Sequence, residues 1–283
     1  MNDREKRKYV EIIKPNVNAE NLTRKERQTG RPTSFQYITP QEYIDIDCKD
    51  IIICIPSHDR YEKVKRLINQ FYEQETKHSF KIILLNDGSC DLRYDTLKDD
   101  FSDIFYLKND VANGKPLHWY CYNQMWNLVR DFKCYAILQM DDDFILSNNF
   151  LNTIVDLYFE QKIICERVMA VAPHLWSFKE LVDSEKWWKL NTVVDGIALI
   201  DITVIKSIDY ELQPVDVEAV CKKGAPVRAW TQISSAITDI RGIIYRTENS
   251  LVYHDGNDDS KLHGDVRNDG KNGVYTQRYI DNI

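Results

Sequence analysis

The sequence predicts an α/β protein, a mostly parallel sheet flanked by helices behind an N-terminal extension. Three observations predict it. Short runs rich in Ile, Val and Leu alternate with stretches of helical periodicity, the pattern of successive βαβ units. The runs are apolar throughout, as strands covered on both faces are. Three of them end abruptly in polar residues, at Pro56-Ser57-His58-Asp59-Arg60, at Asn86-Asp87-Gly88-Ser89 and at Asp141-Asp142-Asp143.

Residues 1–48 are polar, carry Pro15, Pro32 and Pro40, and read as an extension. "DIIICIPSHDR" from Asp50 opens the first strand, and "RYEKVKRLINQFYEQ" places Val64, Leu67, Ile68 and Phe71 at helical spacing. "FKIILLNDGS" is a second buried strand stopped by Asp87-Gly88. "DLRYDTLKDDF" reads as helical, "IFYLKND" as a short strand and "PLHWYCYNQMWNLVRDF" as a helix. "CYAILQMDDD" is the next strand, followed by a helix over "NNFLNTIVDLYFEQ" with Asn148 or Asn149 as its cap. "VMAVAPHLW", "VVDGIALIDITVIK" and "GIIYRTENSLVYH" supply further strands. The expected organisation is the extension over 1–48, a first half over 49–160 and a second half over 161–283.

A hydrophobic content of 43% with 29% charged residues fits an ordinary globular chain. The net charge of −7 does not favour nucleic acid. Met1 to Pro40 holds nine Lys/Arg against five Asp/Glu, so +4 there against −7 overall leaves −11 on the remainder. That basic arm is a solvated extension or a contact for an anionic partner. No apolar run approaches the roughly 20 residues of a membrane span, and no hydrophobic stretch follows the charged start. Seven scattered cysteines with no CxxC pair read as reduced thiols of a cytoplasmic protein.

Asp141, Asp142 and Asp143 pose the central question, because three carboxylates ending a core strand repel one another and are costly to bury. Either they form a solvated turn or a positive charge sits among them. Strand alternation would put Asp141 and Asp143 on one face with Asp142 pointing away. Such hard oxygen ligands suit Mg²⁺ or Mn²⁺, with a substrate diphosphate completing the shell. In an open α/β sheet the three polar strand ends would converge on one crevice.

"IPSHDR", "LLNDGS" and "QMDDDF", in that order, resemble the nucleotide-sugar-binding half of family-two, GT-A (Rossmann-like) glycosyltransferases. The similarity is good over Ile51–Phe150, with a weaker echo to Arg267. It implies a glycosyltransferase, hexosyl or pentosyl, that takes a nucleotide-diphosphate sugar donor and a Mn²⁺ or Mg²⁺ ion. The acceptor it implies is a hydroxyl, by default on a glycan and less so on a modified base in DNA. Carried over, Pro56, Ser57 and Arg60 line the nucleoside pocket and Asp87 reads the base, with Asn86 in place of the family's first Asp. Asn113, Gly114 and Lys115 approach the nucleotide, as do Asp141 and Asp142. Asp143 is the firmest metal ligand, joined by Asp141 directly or through water. His254 is a further ligand, with His263 behind it, and Lys261 and Arg267 are available to the leaving diphosphate.

One feature departs from the family. The helix that usually opens with Glu-Asp corresponds to "RAWTQISSAI", where Trp230, Thr231 and Gln232 offer no carboxylate. Thr and Gln cannot take a proton near neutral pH. Asp195, flanked by apolar residues, is the first candidate for the general base, ahead of Asp216 and Glu218. Trp187 or Trp188 could face an acceptor sugar. Two alternatives remain. A nucleotidyltransferase would carry a Gly-rich loop after the first strand, and "IPSHDRYEK" has no glycine. A non-catalytic sugar-nucleotide-binding domain would accommodate the missing Glu-Asp.

Overall fold

The computed structural model describes residues 35–38, 49–113, 118–173, 187–190, 194, 196–214, 229–247 and 250–255. Strands β1 (Phe35–Ile38), β2 (Lys49–Ser57), β3 (Phe80–Asp87), β4 (Phe105–Asn109), β5 (Cys134–Met140), β7 (Val168–Ala172), β8 (Trp187–Leu190), β9 (Ile197–Asp201) and β10 (Ile243–Thr247) form one sheet. Its order is β1-β4-β3-β2-β5-β9-β7-β10-β8. β2 pairs in parallel with β3 and β5, β3 with β4, and β10 with β7. β1, β8 and β9 run against their neighbours, so six of the nine strands point the same way. The mostly parallel α/β sheet expected from the sequence is therefore present. β1 falls inside the stretch read as an extension, where it forms an antiparallel edge strand on β4.

Strand alternation divides the core in two. From β2, Ile51, Ile53 and Ile55 face α1 (Tyr61–Glu73) and α4 (Phe150–Ile164), while Ile52 and Cys54 face the opposite layer. That layer holds α3 (His118–Val129), α5 (Ile202–Ser207) and α6 (Ala229–Asp239). Val64, Leu67, Ile68 and Phe71 all point inward from α1, as their spacing predicts. Gln139 is fully buried in β5 and satisfied on both sides. It accepts from Trp126 Nε1 at 3.0 Å, and its amide donates to the Cys54 carbonyl at 3.2 Å.

Several elements differ from their sequence assignments. "DLRYDTLKDDF" divides into a 3₁₀ turn, Leu92–Thr96, and a single helical turn, α2 (Leu97–Asp100). "IDITVIK" leaves the strand at Asp201, whose carboxylate accepts from Thr203 N at 2.7 Å and starts α5. A capping aspartate outweighs the β preference of Ile202, Val204 and Ile205. "GIIYRTENSLVYH" splits into β10 and β11 (Val252–His254), and β11 pairs antiparallel with the short β6 (Phe144–Leu146) outside the main sheet. Asn149 stands at the N-cap of α4 without a side-chain capping bond. Trp119 and Trp126 belong to the core.

The end of β3 is fixed by Gly88, at φ +65°. A Cβ there would lie 2.2 Å from the backbone nitrogen of Ala112 and 2.4 Å from the Val111 carbonyl carbon. Only glycine lets these two segments meet. Gly88→Ala should lower the unfolding free energy by at least about 1 kcal/mol, read as a lower denaturant midpoint. An unchanged midpoint would show that the segment after β4 does not pack here.

Candidate active site

From β2 the chain proceeds outward through β3 to β4, and then returns to place β5 on the other side of β2. The carboxyl ends of β2 and β5 therefore form the topological switch point of the sheet, where crevices open in such folds. Ser57 ends β2, and Asp141–Asp143 follow β5 directly.

A positive charge does sit among the carboxylates. Arg60 Nη1 donates to Asp142 Oδ1 at 2.8 Å and to Asp143 Oδ2 at 2.7 Å. Burial works against the guanidinium's charge, but the two carboxylates outweigh it and hold its pKa above the ordinary value. The second oxygen of Asp142 accepts from Ser57 Oγ at 2.6 Å. Ser57 has one proton, so at its 2.6 Å contact with Tyr94 the phenol is the donor. Tyr94 Oη in turn accepts from the Arg60 backbone N–H at 2.8 Å. Burial, with the Asp142 charge adding to it, pushes the Tyr94 hydroxyl up to about 12, so it keeps the proton it donates. Asp142 itself is held above the ordinary carboxylate range by burial, which Arg60 opposes and Asp143 reinforces.

The alternation expected at the strand end does not extend this far. β5 stops at Met140 and the chain turns at Asp142 and Asp143. Asp142 and Asp143 consequently share Arg60, and Asp141 is the one that points elsewhere. Its side chain is about one-third exposed, 3.5 Å from His118 Nε2 and 3.4 Å from Tyr122 Oη. Tyr122 packs edge-on against Trp230 of α6, with ring centroids 5.8 Å apart. The Asp141 backbone N–H donates to the Gly196 carbonyl at 3.3 Å.

Asp143 has two unlike oxygens. Oδ2 is taken by Arg60, whereas Oδ1 is buried and accepts no hydrogen bond. Facing Oδ1 at 3.4 Å is Nε2 of His254, the last residue of β11, placed there by the pairing of His254 with Phe144. Asp255 N also donates to the Asp143 carbonyl at 2.7 Å. Burial lowers the His254 pKa, with Asp143 opposing and Arg60 and Lys63 adding to the effect, which favours the neutral imidazole that ligates metals. Among the described residues no cluster of three His, Cys, Asp or Glu side chains forms a closed metal cage. An unpartnered buried carboxylate oxygen opposite a neutral imidazole nevertheless fits a Mn²⁺ or Mg²⁺ ion that takes its remaining ligands from substrate phosphates and water.

Asp87 is buried at the end of β3. It accepts from Asn109 Nδ2 at 2.7 Å, from the Asn113 backbone at 3.0 Å and from Asn113 Nδ2 at 2.8 Å, so it organises the segment after β4. Asn113 is thereby brought to Asp87. Asn86 donates to Tyr106 Oη at 2.9 Å and accepts from Ser89 N at 2.9 Å, a role a second aspartate could not fill on the donor side. His58 Nδ1 donates to the Asp87 carbonyl at 2.8 Å and ties β2 to β3. Pro56 is buried in β2 beside Leu85. Asn123 is structural: its amide exchanges two 2.8 Å bonds with the Leu212 backbone.

Gly114, Lys115, Asp195, Asp216, Glu218, Lys261, His263 and Arg267 lie outside the described residues, as do the side chains of Trp187 and Trp188. Sequence reasoning missed Tyr94, His118 and Tyr122. His118 and Tyr122 are four apart at the start of α3, one helical face, and that spacing was a readable signal.

No protein-family model and no curated protein matches this chain. Two crystal structures of S. aureus TarS, one of them residues 1–349, are similar to it over 72% of its length, each at 11% identity and a TM-score of 0.49. The chain spans 60% of the shorter TarS chain and 36% of the other. At that identity and TM-score neither likeness assigns an activity. No helix among the described residues is long and apolar enough to cross a membrane.

The folded state disfavours protonation of His254 relative to the unfolded chain, whose histidine titrates near 6.5. The corresponding stability is complete above about pH 6.5 and is lost as pH falls below it. Denaturant titrations from pH 7.5 to 5 should show stability falling less steeply in His254→Gln than in wild type. Parallel curves would contradict the half-buried, neutral His254 described here.

Proposed function

We propose that this chain is a metal-dependent glycosyltransferase that moves a sugar from a nucleotide-diphosphate donor to an acceptor hydroxyl. The observation that carries the proposal is the buried, unpartnered Oδ1 of Asp143 opposite neutral His254, at the switch point of an α/β sheet. The nucleotidyltransferase alternative lacks support, since the β2–α1 turn, Ser57-His58-Asp59-Arg60, has no glycine to cradle phosphates. The default acceptor is a glycan hydroxyl in the cytoplasm, and DNA is the lesser option.

Asp143 Oδ1 and His254 Nε2 would hold the ion. When bound, the ion neutralises charge on the leaving nucleoside diphosphate. Arg60 and the Tyr94–Ser57–Asp142 chain fix the carboxylates in place before substrate arrives, so little reorganisation accompanies the reaction. Pro56, Ser57, Arg60, Asp87, Asn113, Gly114 and Lys115 would form the nucleoside side of the pocket, with Asp87 holding Asn113 in place. An acceptor would approach beside Asp141 and the partly exposed His118, with Tyr122 and Trp230 buried behind them.

A sugar hydroxyl is a poor nucleophile and needs a carboxylate within about 3 Å, or one water away. Asp195 is the proposed base. Its neighbours in the chain support this: the Val194 N–H donates to Ser234 Oγ of α6 at 3.1 Å, and the Gly196 carbonyl accepts from Asp141. Gly196 has φ +72°, a turn next to the acidic cluster.

A thermal-shift screen of nucleotide-diphosphate sugars with and without Mn²⁺ tests the donor class, since a tight ligand raises Tm by linkage. Asp143→Asn should abolish the Mn²⁺-dependent shift and most of the turnover while the fold survives. Full activity of that variant, or of wild type in excess EDTA, would rule out the metal. Asp195→Asn should cut turnover by about a hundredfold and leave donor affinity nearly unchanged. Unaltered turnover would pass the role to Asp216 or Glu218, and no turnover in wild type with any donor would favour a non-catalytic binding domain.

A further inference from the structure

Arg60 Nη1 lies 2.8 Å from Asp142 Oδ1 and 2.7 Å from Asp143 Oδ2. It bridges Asp142 and Asp143 in a nearly buried position, and it takes one oxygen of Asp143 while leaving the other exposed to His254. Around this centre the charges almost cancel. Asp141, Asp142, Asp143 and Asp255 supply four negative charges. Arg60, Lys63 and Arg66 supply three positive ones, with Lys63 Nζ donating to the Asp255 carbonyl at 2.5 Å and Arg66 paired with the Asp255 carboxylate at 2.8 Å. A divalent cation entering alone would turn a net charge of −1 into +1 across these groups, of which Arg60, Asp142 and Asp143 are nearly buried. A cation arriving with a diphosphate would not.

We infer that Arg60 is a positioning residue that makes cation binding conditional on the donor's diphosphate. Its guanidinium orients Asp143 so that Oδ1 faces His254, and its charge lowers the affinity of the site for a bare cation until phosphate oxygens arrive. The inference rests on the metal-dependent reading above. Because coupling between two ligands is reciprocal, the same factor must appear in cation affinity with and without nucleotide and in nucleotide affinity with and without cation. Removing the guanidinium should strengthen cation binding alone and weaken the coupling, which is the opposite of what loss of a simple structural residue would do.

The experiment measures Mn²⁺ affinity of the full chain by electron paramagnetic resonance, alone and with each of ADP, GDP, CDP, UDP and TDP. Calorimetry gives the nucleotide affinity with and without Mn²⁺. Wild type should bind Mn²⁺ weakly alone and at least tenfold more tightly with its matching nucleotide. In Arg60→Gln, Mn²⁺ alone should bind severalfold more tightly and the coupling factor should fall severalfold. Arg60→Lys, which keeps the charge without the planar guanidinium, should retain most of the coupling. If Arg60→Gln does not fold, Asp142→Asn decides. It keeps Arg60 and removes a negative charge, so Mn²⁺ alone should bind more weakly with the coupling preserved or raised. Wild-type coupling that survives intact in Arg60→Gln, or bare-cation affinity unchanged in Asp142→Asn, overturns the role of Arg60 and leaves the metal site standing. No Mn²⁺ binding by wild type under any condition overturns both.

Discussion

The organising interaction of this molecule is the bridge from Arg60 to Asp142 and Asp143. Adjacent carboxylates cannot be buried at a strand end without a counter-charge, and stripping one partner from a buried charge pair costs about 3–5 kcal/mol. Here the counter-charge comes from the residue that precedes α1, so the turn after β2 and the turn after β5 are fixed to each other. The hydrogen-bond chain through Tyr94 and Ser57 brings in the 3₁₀ turn after β3. Three loops at the carboxyl end of the sheet thus share one polar network, and each donor and acceptor in it has an assigned direction.

The sheet topology explains where that network sits. β2 and β5 are neighbours, yet the chain leaves them toward opposite edges of the sheet, so the network lies at the switch point. β6 and β11 close one side, carrying His254 to Asp143. Helix α3 closes the other, carrying His118 and Tyr122 to Asp141. Asp141 and Asp143 therefore face different surroundings although only one residue separates them. Asp143 is dry and committed on one side, while Asp141 is partly solvated beside aromatic residues.

Much of this was legible in the sequence, for identifiable reasons. The apolar runs at β2, β3 and β5 are buried on both faces and leave no doubt about their strand character. The periodicity of α1 is strong because its buried face is narrow. The polar strand ends converge because parallel strands bring their carboxyl ends to one edge. The carboxylate geometry was not legible. Strand alternation ends at Met140, where the backbone turns, so Asp143 shares its partner with Asp142 and not with Asp141. The bridge from Arg60 to Asp142 and Asp143 was not legible either, because its partners are more than 80 positions away and no local pattern reports a contact at that separation. The α5 helix was hidden for a different reason. One side-chain bond, from Thr203 N to Asp201, reverses the preference of three β-branched residues. The segments with Lys115, Asp195 and His263 lie outside the described residues, and their roles stand as proposals.

The most direct test of the account is the position of the cation itself. Crystals grown with Mn²⁺ and the matching nucleoside diphosphate would be measured at the manganese absorption edge, where anomalous scattering locates the ion without reference to the rest of the map. The account predicts a single peak within ligating distance of Asp143 Oδ1 and His254 Nε2, with Arg60 still bridging Asp142 and Asp143. A peak on the Arg60 side of the carboxylates with the guanidinium displaced, or no peak near Asp143 at all, would contradict it.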